Sequence, residues 1–225
     1  VSAVGKVRID QLLVARELAP SRARAQAMLL AGNVYVAGVR VDKAGALVAE
    51  DADVDVRGKS CLDLGASTGG FTDCLLQRGA ARVVAVDVGY GQLAHKLRTD
   101  PRVVVRERTN ARTLAPEDIG GAADLTVVDA SFIGLAKLAE AIARCTRPGG
   151  EIVALVKPQF EVGREEASRG KGVVRDPEVR ARAIDEAAAA LRDAGLAIAK
   201  TIDCVLPGPK GNLEAFVFAQ KPSGG

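Results

Sequence analysis

Tryptophan is absent from this chain, and among its 225 residues there are only two Tyr, one Met and one His. A single histidine, His95, can assemble neither a histidine-based metal centre nor a histidine-dependent nucleophilic triad, so no metal dependence is expected. The four cysteines, Cys61, Cys74, Cys145 and Cys204, form no Cys-x-x-Cys pair and lie in apolar stretches. They are expected to be buried thiols in a reducing compartment, which makes the cytoplasm the default location. No apolar run reaches the roughly 18 residues that a membrane span requires. The opening VSAVGKVRID also lacks the apolar core of a signal peptide. A pore-forming role would have no amphipathic or apolar segment to rest on.

What is present is a hydrophobic content of 48%, enough for a sizeable core, and a net charge of +3 that is unevenly placed. Residues 1–43 hold Lys6, Arg8, Arg16, Arg22, Arg24, Arg40 and Lys43 against Asp10, Glu17 and Asp42. Glu50, Asp51, Asp53 and Asp55 crowd the stretch that follows. Charge alone fits a polyanion-binding face as well as it fits an ordinary solvated helix surface. The pattern RIDQLLVARE predicts a helix. After Pro20, Ser21 is placed to cap a second helix over SRARAQAMLLAG, ending at Gly32. Valines alternating around Ala37-Gly38 predict a hairpin, and LVAEDADVDV a further strand. This small α+β module is expected to occupy residues 1–56.

From residue 57 to 225 a second domain is expected. Apolar strands are predicted at 60–64, 82–87, 103–107, 124–129 and 151–156, with helical patterns at 70–78, 91–98 and 134–146. Strand-helix alternation of this kind predicts an α/β fold with a mostly parallel sheet covered by helices on both faces. A last helix opens at Asp176-Pro177 and ends at Gly195. Two closing strands, 197–205 and 213–219, flank PGPKGN, a turn compatible with an antiparallel last strand.

The stretch CLDLGASTGGF, residues 61–71, is a strand–glycine turn–helix junction of the type that faces ligands at the carboxyl edge of an open α/β sheet. Gly69-Gly70-Phe71 does not supply the Gly-Lys-Ser/Thr of a nucleoside triphosphate loop. Ser67 stands where a dinucleotide fingerprint needs its second glycine. The spacing Asp63-x-Gly65-x-Ser67-x-Gly69, with Asp87 ending the next strand, fits S-adenosylmethionine best: glycines admit the methionine tail, Asp63 faces its ammonium, and Asp87 its ribose hydroxyls. The competing reading is a tight turn whose glycines only permit close helix packing.

Asp129 ends the fourth strand and Lys157 the fifth, so both are expected at the same carboxyl edge as the methyl donor. Transfer to an alcohol requires in-line attack and removal of a hydroxyl proton. A lysine whose pKa is depressed by neighbouring cations and desolvation can remove it while an aspartate orients the lysine. Glu214, in GNLEAFVF, is placed to orient the lysine ammonium. On the residues alone, Lys157 before Pro158 is equally an ordinary strand-end cation, and Glu214 a residue of a solvated strand.

At these motifs the chain resembles the TlyA-type ribosomal RNA 2′-O-methyltransferases, some of which carry haemolysin names. The N-terminal RIDQLLVARELAPSRARAQAMLLAGNVYVAGVRVD is similar to an S4 RNA-binding module. CLDLGASTGGFTDCLLQRGA, AVDVGYGQLAHKLRTDPRV, ERTNAR, DASFI, LVKPQFEVG and PGPKGNLEAF follow, in order, the blocks of a Rossmann-like S-adenosylmethionine-dependent methyltransferase domain. The resemblance implies ribose 2′-O-methylation of ribosomal RNA, with ribosomal RNA or ribosomal subunits as partner. It assigns Asp63, Gly65, Ser67, Thr68, Gly69, Asp87, Asn110 and Asp129 to the cofactor, with Asn110 near the adenine. It also matches Asp129, Lys157 and Glu214 to three members of a Lys-Asp-Lys-Glu catalytic tetrad. Lys6, Arg8, Ser21, Arg22 and Arg24 are the implied RNA contacts.

The lysine that opens the tetrad has no evident counterpart. In the family it follows a Ser-Arg-Gly-Gly-like linker, whereas here DVDVRGKSCLDLG passes directly between the two modules, and Lys59 lies too close to the first strand to replace it. The expectation is that such a linker belongs to the molecule but not to these 225 residues; a catalytically impaired RNA-binding protein is the alternative. Scarce Tyr and absent Trp favour recognition of RNA by shape, with the target nucleotide extruded from its helix. The loop 158–176, with Arg164, Arg169, Lys171 and Arg175, is read either as a substrate-closing lid or as a plain surface loop.

Overall fold

The computed structural model describes residues 5–16, 18–19, 21–30, 34–37, 39–49, 54–56, 58–162, 172–205, 207–208 and 210–223. The expected roles of Pro20, Gly32, Gly38, Glu50, Asp51 and Asp53, and most of the expected lid, including Arg164, Arg169 and Lys171, lie outside the described residues. The chain divides into two compact units, Val1–Lys59 with Arg78–Ala81, and Ser60–Gln77 with Arg82–Gly225.

In the first unit β1 (Lys6–Arg8) leads into α1 (Ile9–Ala15) and α2 (Arg22–Leu30), followed by β2 (Val34–Val36), β3 (Val39–Arg40), β4 (Leu47–Ala49) and β5 (Val54–Val56). β1 pairs antiparallel with β4, and β2 lies between β3 and β5. Ser21 caps α2 as expected, its Oγ accepting the Arg24 N–H at 3.2 Å. The apolar spacing of both helices directs Ile9, Leu12, Leu13, Ala25 and Leu29 into one core with Ala19 and Val34. Burying each large side chain there stabilises the unit by roughly 1.5–3 kcal/mol.

The second unit is a seven-stranded sheet. Its strands are β6 (Ser60–Leu64), β7 (Arg82–Val86), β8 (Val103–Arg106), β9 (Ala123–Val128), β10 (Thr146–Val156), β11 (Ala197–Asp203) and β12 (Ala215–Gln220). The spatial order is β11-β12-β10-β9-β6-β7-β8, with β12 antiparallel to both β10 and β11 and the other pairs parallel. The expected α/β class and antiparallel last strand are both present. Helices α3 (Gly70–Gln77), α4 (His95–Arg98), α5 (Ala139–Cys145), α6 (Pro158–Glu161) and α7 (Pro177–Asp193) accompany it. After Arg82, β7 reads as a continuous apolar run because both faces are covered, and β6 is equally buried although it carries Asp63. Asp176 caps α7 by accepting the Glu178 and Val179 N–H groups, and Pro177 occupies the first turn.

Two helical expectations shorten. Only His95–Arg98 of 91–98 is helical, and 134–146 begins with a 3-10 turn at Leu135–Lys137 before α5. None of the four cysteines forms a disulfide; Cys61 and Cys145 are buried, whereas Cys74 and Cys204 are only partly so.

Register sets the functional edge. Leu64 pairs with Val86 on one side and Val128 on the other, so Gly65, Asp87 and Asp129 leave the sheet at one level. Gly65 has φ +88°, and a Cβ there would lie 2.6 Å from the Asp129 carbonyl oxygen. Glycine is therefore required twice, for its backbone angle and for the close approach of two chains.

A second constraint joins the segment after β9 to the segment after β10. The Leu135 N–H donates to both Glu161 carboxylate oxygens, at 3.0 and 3.1 Å, and Gly134 leaves room for them, since a Cβ there would sit 2.8 Å from Oε2. Burial, with a smaller push from Glu186, raises the Glu161 carboxyl to about 7 against the opposing Leu135 hydrogen bond.

Two outcomes are expected. Gly65→Ala should cost roughly 2 kcal/mol or more in denaturant unfolding, because backbone atoms cannot yield as a flexible side chain would. For Glu161, the folded protein holds its proton more tightly than the unfolded chain, so stability falls as pH rises from about 4.5 to about 7. Glu161→Gln should remove that part of the dependence, on the order of 2 kcal/mol across the window, read from urea midpoints measured along a pH series. Parallel pH curves for the two proteins would contradict it.

Candidate active site

Beyond the carboxyl ends of β6, β7 and β9 lies a cavity of about 300 Å³. Gly65 and Ser67 form one wall, Asp87, Val88, Gly89 and Gln92 a second, Thr109, Asn110 and Ala111 a third, and the segment Asp129–Ile133 the fourth. Ser67 adopts φ +47°, which turns the loop after β6 over the end of β7. Its N–H donates to Asp87 Oδ2 at 2.8 Å, and the Gly89 N–H donates to Oδ1 at 2.7 Å. Each Asp87 oxygen keeps a further lone pair, so a carboxylate already fixed by backbone can still accept two hydroxyl donors. The 108–110 segment is pinned alongside, with Arg108 N–H on the Gly89 carbonyl and Thr109 N–H on the Asp87 carbonyl. Asn110 lines the cavity while its Oδ1 accepts the Arg112 N–H at 3.1 Å.

Three expected cofactor residues do not line this cavity. The Thr68 carbonyl accepts the Ala94 N–H, tying the turn to the segment before α4. Gly69, at φ +100°, faces Leu93 and Leu97, where a Cβ would come within 2.8 and 2.2 Å of their methyl carbons. Its structural task is helix packing, the competing reading of the glycine turn. Asp63 is fully buried behind the cavity wall. Thr72 Oγ1 donates to its Oδ2 at 2.6 Å, and Oδ1 has no hydrogen-bond partner. Burial raises its carboxyl to about 6 against the Thr72 hydrogen bond, with Asp129 and then Asp87 adding repulsion.

Lys157 immediately follows β10. Its Nζ lies 2.5 Å from Asp129 Oδ1 and donates to Ser131 Oγ at 3.0 Å. The contact with Asp129 is a close ion pair. The lysine side chain is 14% exposed and that of Asp129 34%, so the pair is sheltered, with Asp129 the member that lines the cavity. Val156 pairs with Ala215, which sets Glu214 one step beyond the register opposite Lys157. Its carboxylate nevertheless engages Gln159 Nε2, at 3.4 Å, and not the lysine. Gly208 provides its space, since a Cβ there would lie 2.6 Å from Oε1.

Four residues of this region escaped the sequence reading. Ser131 and Glu161 carry hydrogen bonds that pairing alone does not foretell. Asn212 ties the PGPKGN turn to the entry of α7, its Oδ1 accepting the Val174 N–H and its Nδ2 donating to the Gly172 carbonyl. Phe132 lines the cavity mouth with φ +66° and is 90% exposed, its ring 5.1 Å from that of Phe160. A bulky residue in the left-handed region is a signal only coordinates reveal. Among the described residues no His, Cys, Asp or Glu cluster is arranged to hold a metal, and no helix is long and apolar enough to cross a membrane.

Comparison with known proteins gives the same picture. Residues 7–54 match the S4 domain and residues 45–221 the FtsJ-like methyltransferase model. The chain is 45% identical to the 16S/23S rRNA (cytidine-2′-O)-methyltransferase TlyA of Mycobacterium tuberculosis, across 95% of this chain and 89% of the relative. It is 35% identical to Hemolysin A of Brachyspira hyodysenteriae, across 92% and 97%. A hemolysin-named structure from Streptococcus thermophilus superposes with TM-score 0.71 at 33% identity, covering 98% of this chain and 90% of that one. The N-methyltransferase NodS of Bradyrhizobium japonicum in complex with S-adenosyl-L-homocysteine shares the fold alone, with TM-score 0.54 and 16% identity over 75% and 80% of the two chains. An S4 domain followed by a methyltransferase sheet, matched along most of the sequence, means that the chain belongs to the FtsJ-like methyltransferase family.

Proposed function

We propose that this chain methylates a ribose 2′-hydroxyl of ribosomal RNA with S-adenosylmethionine as donor. Residues 1–56 serve as the RNA-binding module and 57–225 as the catalytic domain. The observation that carries the reading is the placement of Asp87 and Asp129 on one cavity at the carboxyl edge of the sheet, with Lys157 held beside it by the cavity residues Asp129 and Ser131. Similarity to the TlyA enzyme named for cytidine 2′-O-methylation supports the substrate class.

The cavity residues fit the donor. Asp87, fixed by two backbone N–H groups, would hold the ribose hydroxyls, and Asn110 and Ala111 would flank the adenine. Gly65 admits the chain closely, and the repelled Asp63 carboxylate behind it, whose Oδ1 lacks a hydrogen bond, gains from a nearby cation. The cofactor supplies an electrophilic sulfonium methyl. The protein must orient the hydroxyl and take its proton. Asp129 and Ser131 fix Lys157 Nζ from two sides, so the nitrogen is held rather than swinging on its four-carbon stem. Nζ is then the atom that accepts the 2′-hydroxyl proton as the methyl group is transferred. A second cation nearby is the usual means of freeing Nζ of its own proton, and in the tetrad it is the opening lysine.

Lys59 cannot supply that cation. It precedes β6 at the amino end, whereas Gly65 and Asp129 lie at the carboxyl end, about 16 Å away along five strand residues. The alignment with the Mycobacterium tuberculosis enzyme runs over 240 residues, more than the 225 present here, so that relative carries residues without counterpart in this chain. The missing lysine favours one alternative, an RNA-binding protein that retains the fold without efficient transfer.

Ribosomal subunits incubated with methyl-labelled S-adenosylmethionine separate the two. Label recovered in ribose is expected; RNA binding with no transfer would establish the alternative. Lys157→Ala should reduce transfer by at least about a hundredfold while leaving S-adenosylhomocysteine affinity, measured by calorimetry, within about threefold. Near-normal turnover would remove Lys157 from its role.

A further inference from the structure

Outside the methyl-transfer site, one charged side chain is fully buried while bound to two arginines. Asp10, at the start of α1, has no exposed surface. Arg8, the last residue of β1, donates Nε to Oδ1 at 3.0 Å and Nη2 to Oδ2 at 3.1 Å. Arg22, the first residue of α2, donates Nη2 to the same Oδ2 at 2.9 Å, and Gln26 Nε2 reaches it at 3.3 Å. Hydrogen bonding from Arg8 above all, with smaller contributions from Arg22 and Gln26, outweighs burial and holds the Asp10 carboxyl far below the usual carboxylate range. It is ionised at any pH at which the protein would work.

The shared oxygen fixes a distance. Two nitrogens bonded to one oxygen at 3.1 and 2.9 Å lie no farther apart than about 6 Å. A phosphate whose oxygens are roughly 2.5 Å apart bridges such a gap with one N–H···O bond of about 2.8 Å to each guanidinium. Two free arginines would not stay so close, because their charges repel and each long side chain gains entropy by swinging away. Arg8 is also steadied from behind, its Nη1 lying over Gly45 where a Cβ would be 3.4 Å away. Both guanidiniums remain open to an external partner, with 42% and 53% of the side chains exposed. Of five N–H donors each, the Asp10 contacts take two from Arg8 and one from Arg22.

We infer that Asp10 is a positioning residue that presents Arg8 and Arg22 as one clamp for a single backbone phosphate of folded RNA, an inference that rests on the proposed RNA-binding role of this module. The idea opposes simple charge counting. An aspartate between two arginines lowers the local positive charge, so by long-range attraction alone its removal should tighten RNA binding. Preorganisation predicts the reverse, since the geometry of the pair is lost while charge is gained.

The test uses the full chain, a fluorescein-labelled RNA hairpin and anisotropy titrations over a salt series, with thermal unfolding as the folding control. Asp10→Asn should weaken affinity by about tenfold despite its added positive charge. Unchanged or tighter binding by a folded Asp10→Asn protein overturns the inference. Should that variant unfold the module, Arg8→Lys decides: it keeps the charge but cannot form the forked pair, and it should lose about fivefold in affinity at unchanged stability. Arg8→Lys binding at wild-type strength overturns the inference equally. If the unaltered chain itself shows no salt-dependent binding to the hairpin, the RNA-binding reading fails, an outcome distinct from failure of the clamp.

Discussion

The site depends on one backbone approach: the turn after β6 passing close against the Asp129 carbonyl at the end of β9. Parallel pairing of β6 with β7 and β9 brings three chain exits to the same level, and only a residue without a side chain can stand at the middle one. From that point each wall of the cavity follows. The turn runs over the end of β7, where Ser67 binds Asp87, and Asp129 is left facing the exit of β10, where Lys157 emerges. The crevice outside the carboxyl ends of an open α/β sheet is thus built from register before any side-chain chemistry enters.

Electrostatics then sort the three aspartates by their surroundings. Asp87 is held by two backbone N–H groups and Asp129 by a lysine, while Asp63 has one hydroxyl donor and an empty oxygen. The repulsion Asp63 feels from the other two is part of what raises its carboxyl to about 6. A cationic ligand would relieve all three at once, whereas an anionic one would add to the repulsion. This is why the charge of the site suits a sulfonium cofactor with a free ammonium better than a nucleotide di- or triphosphate.

The strands were legible in the sequence because buried parallel strands are rich in apolar residues and are followed here by Gly65, Asp87, Glu107, Asp129 and Lys157, and 60–64 of the prediction is β6 itself. Asp87, Asp129 and Lys157 were legible for the same reason: a charge ending an apolar run must leave the sheet at its edge. What depends on side-chain direction was not. Gly69 and Gly65 look alike as letters, yet one meets leucine side chains and the other a backbone carbonyl. Glu214 stands opposite Lys157 in register but turns to Gln159. Helix 91–98 shortens to α4 because its first residues, GQLA, form the loop that carries Gln92 to the cavity.

The two units apply one device to opposite ends. In each, a carboxylate fixes cations that would otherwise move: Asp129 holds Lys157 beside the cavity, and Asp10 holds Arg8 and Arg22 near the surface of the first unit. The energetic logic differs, however. Asp10 is enclosed and accepts several hydrogen bonds, so its loss frees the Arg8, Arg22 and Gln26 side chains that it holds together. Asp129 is more open and shares its lysine with Ser131.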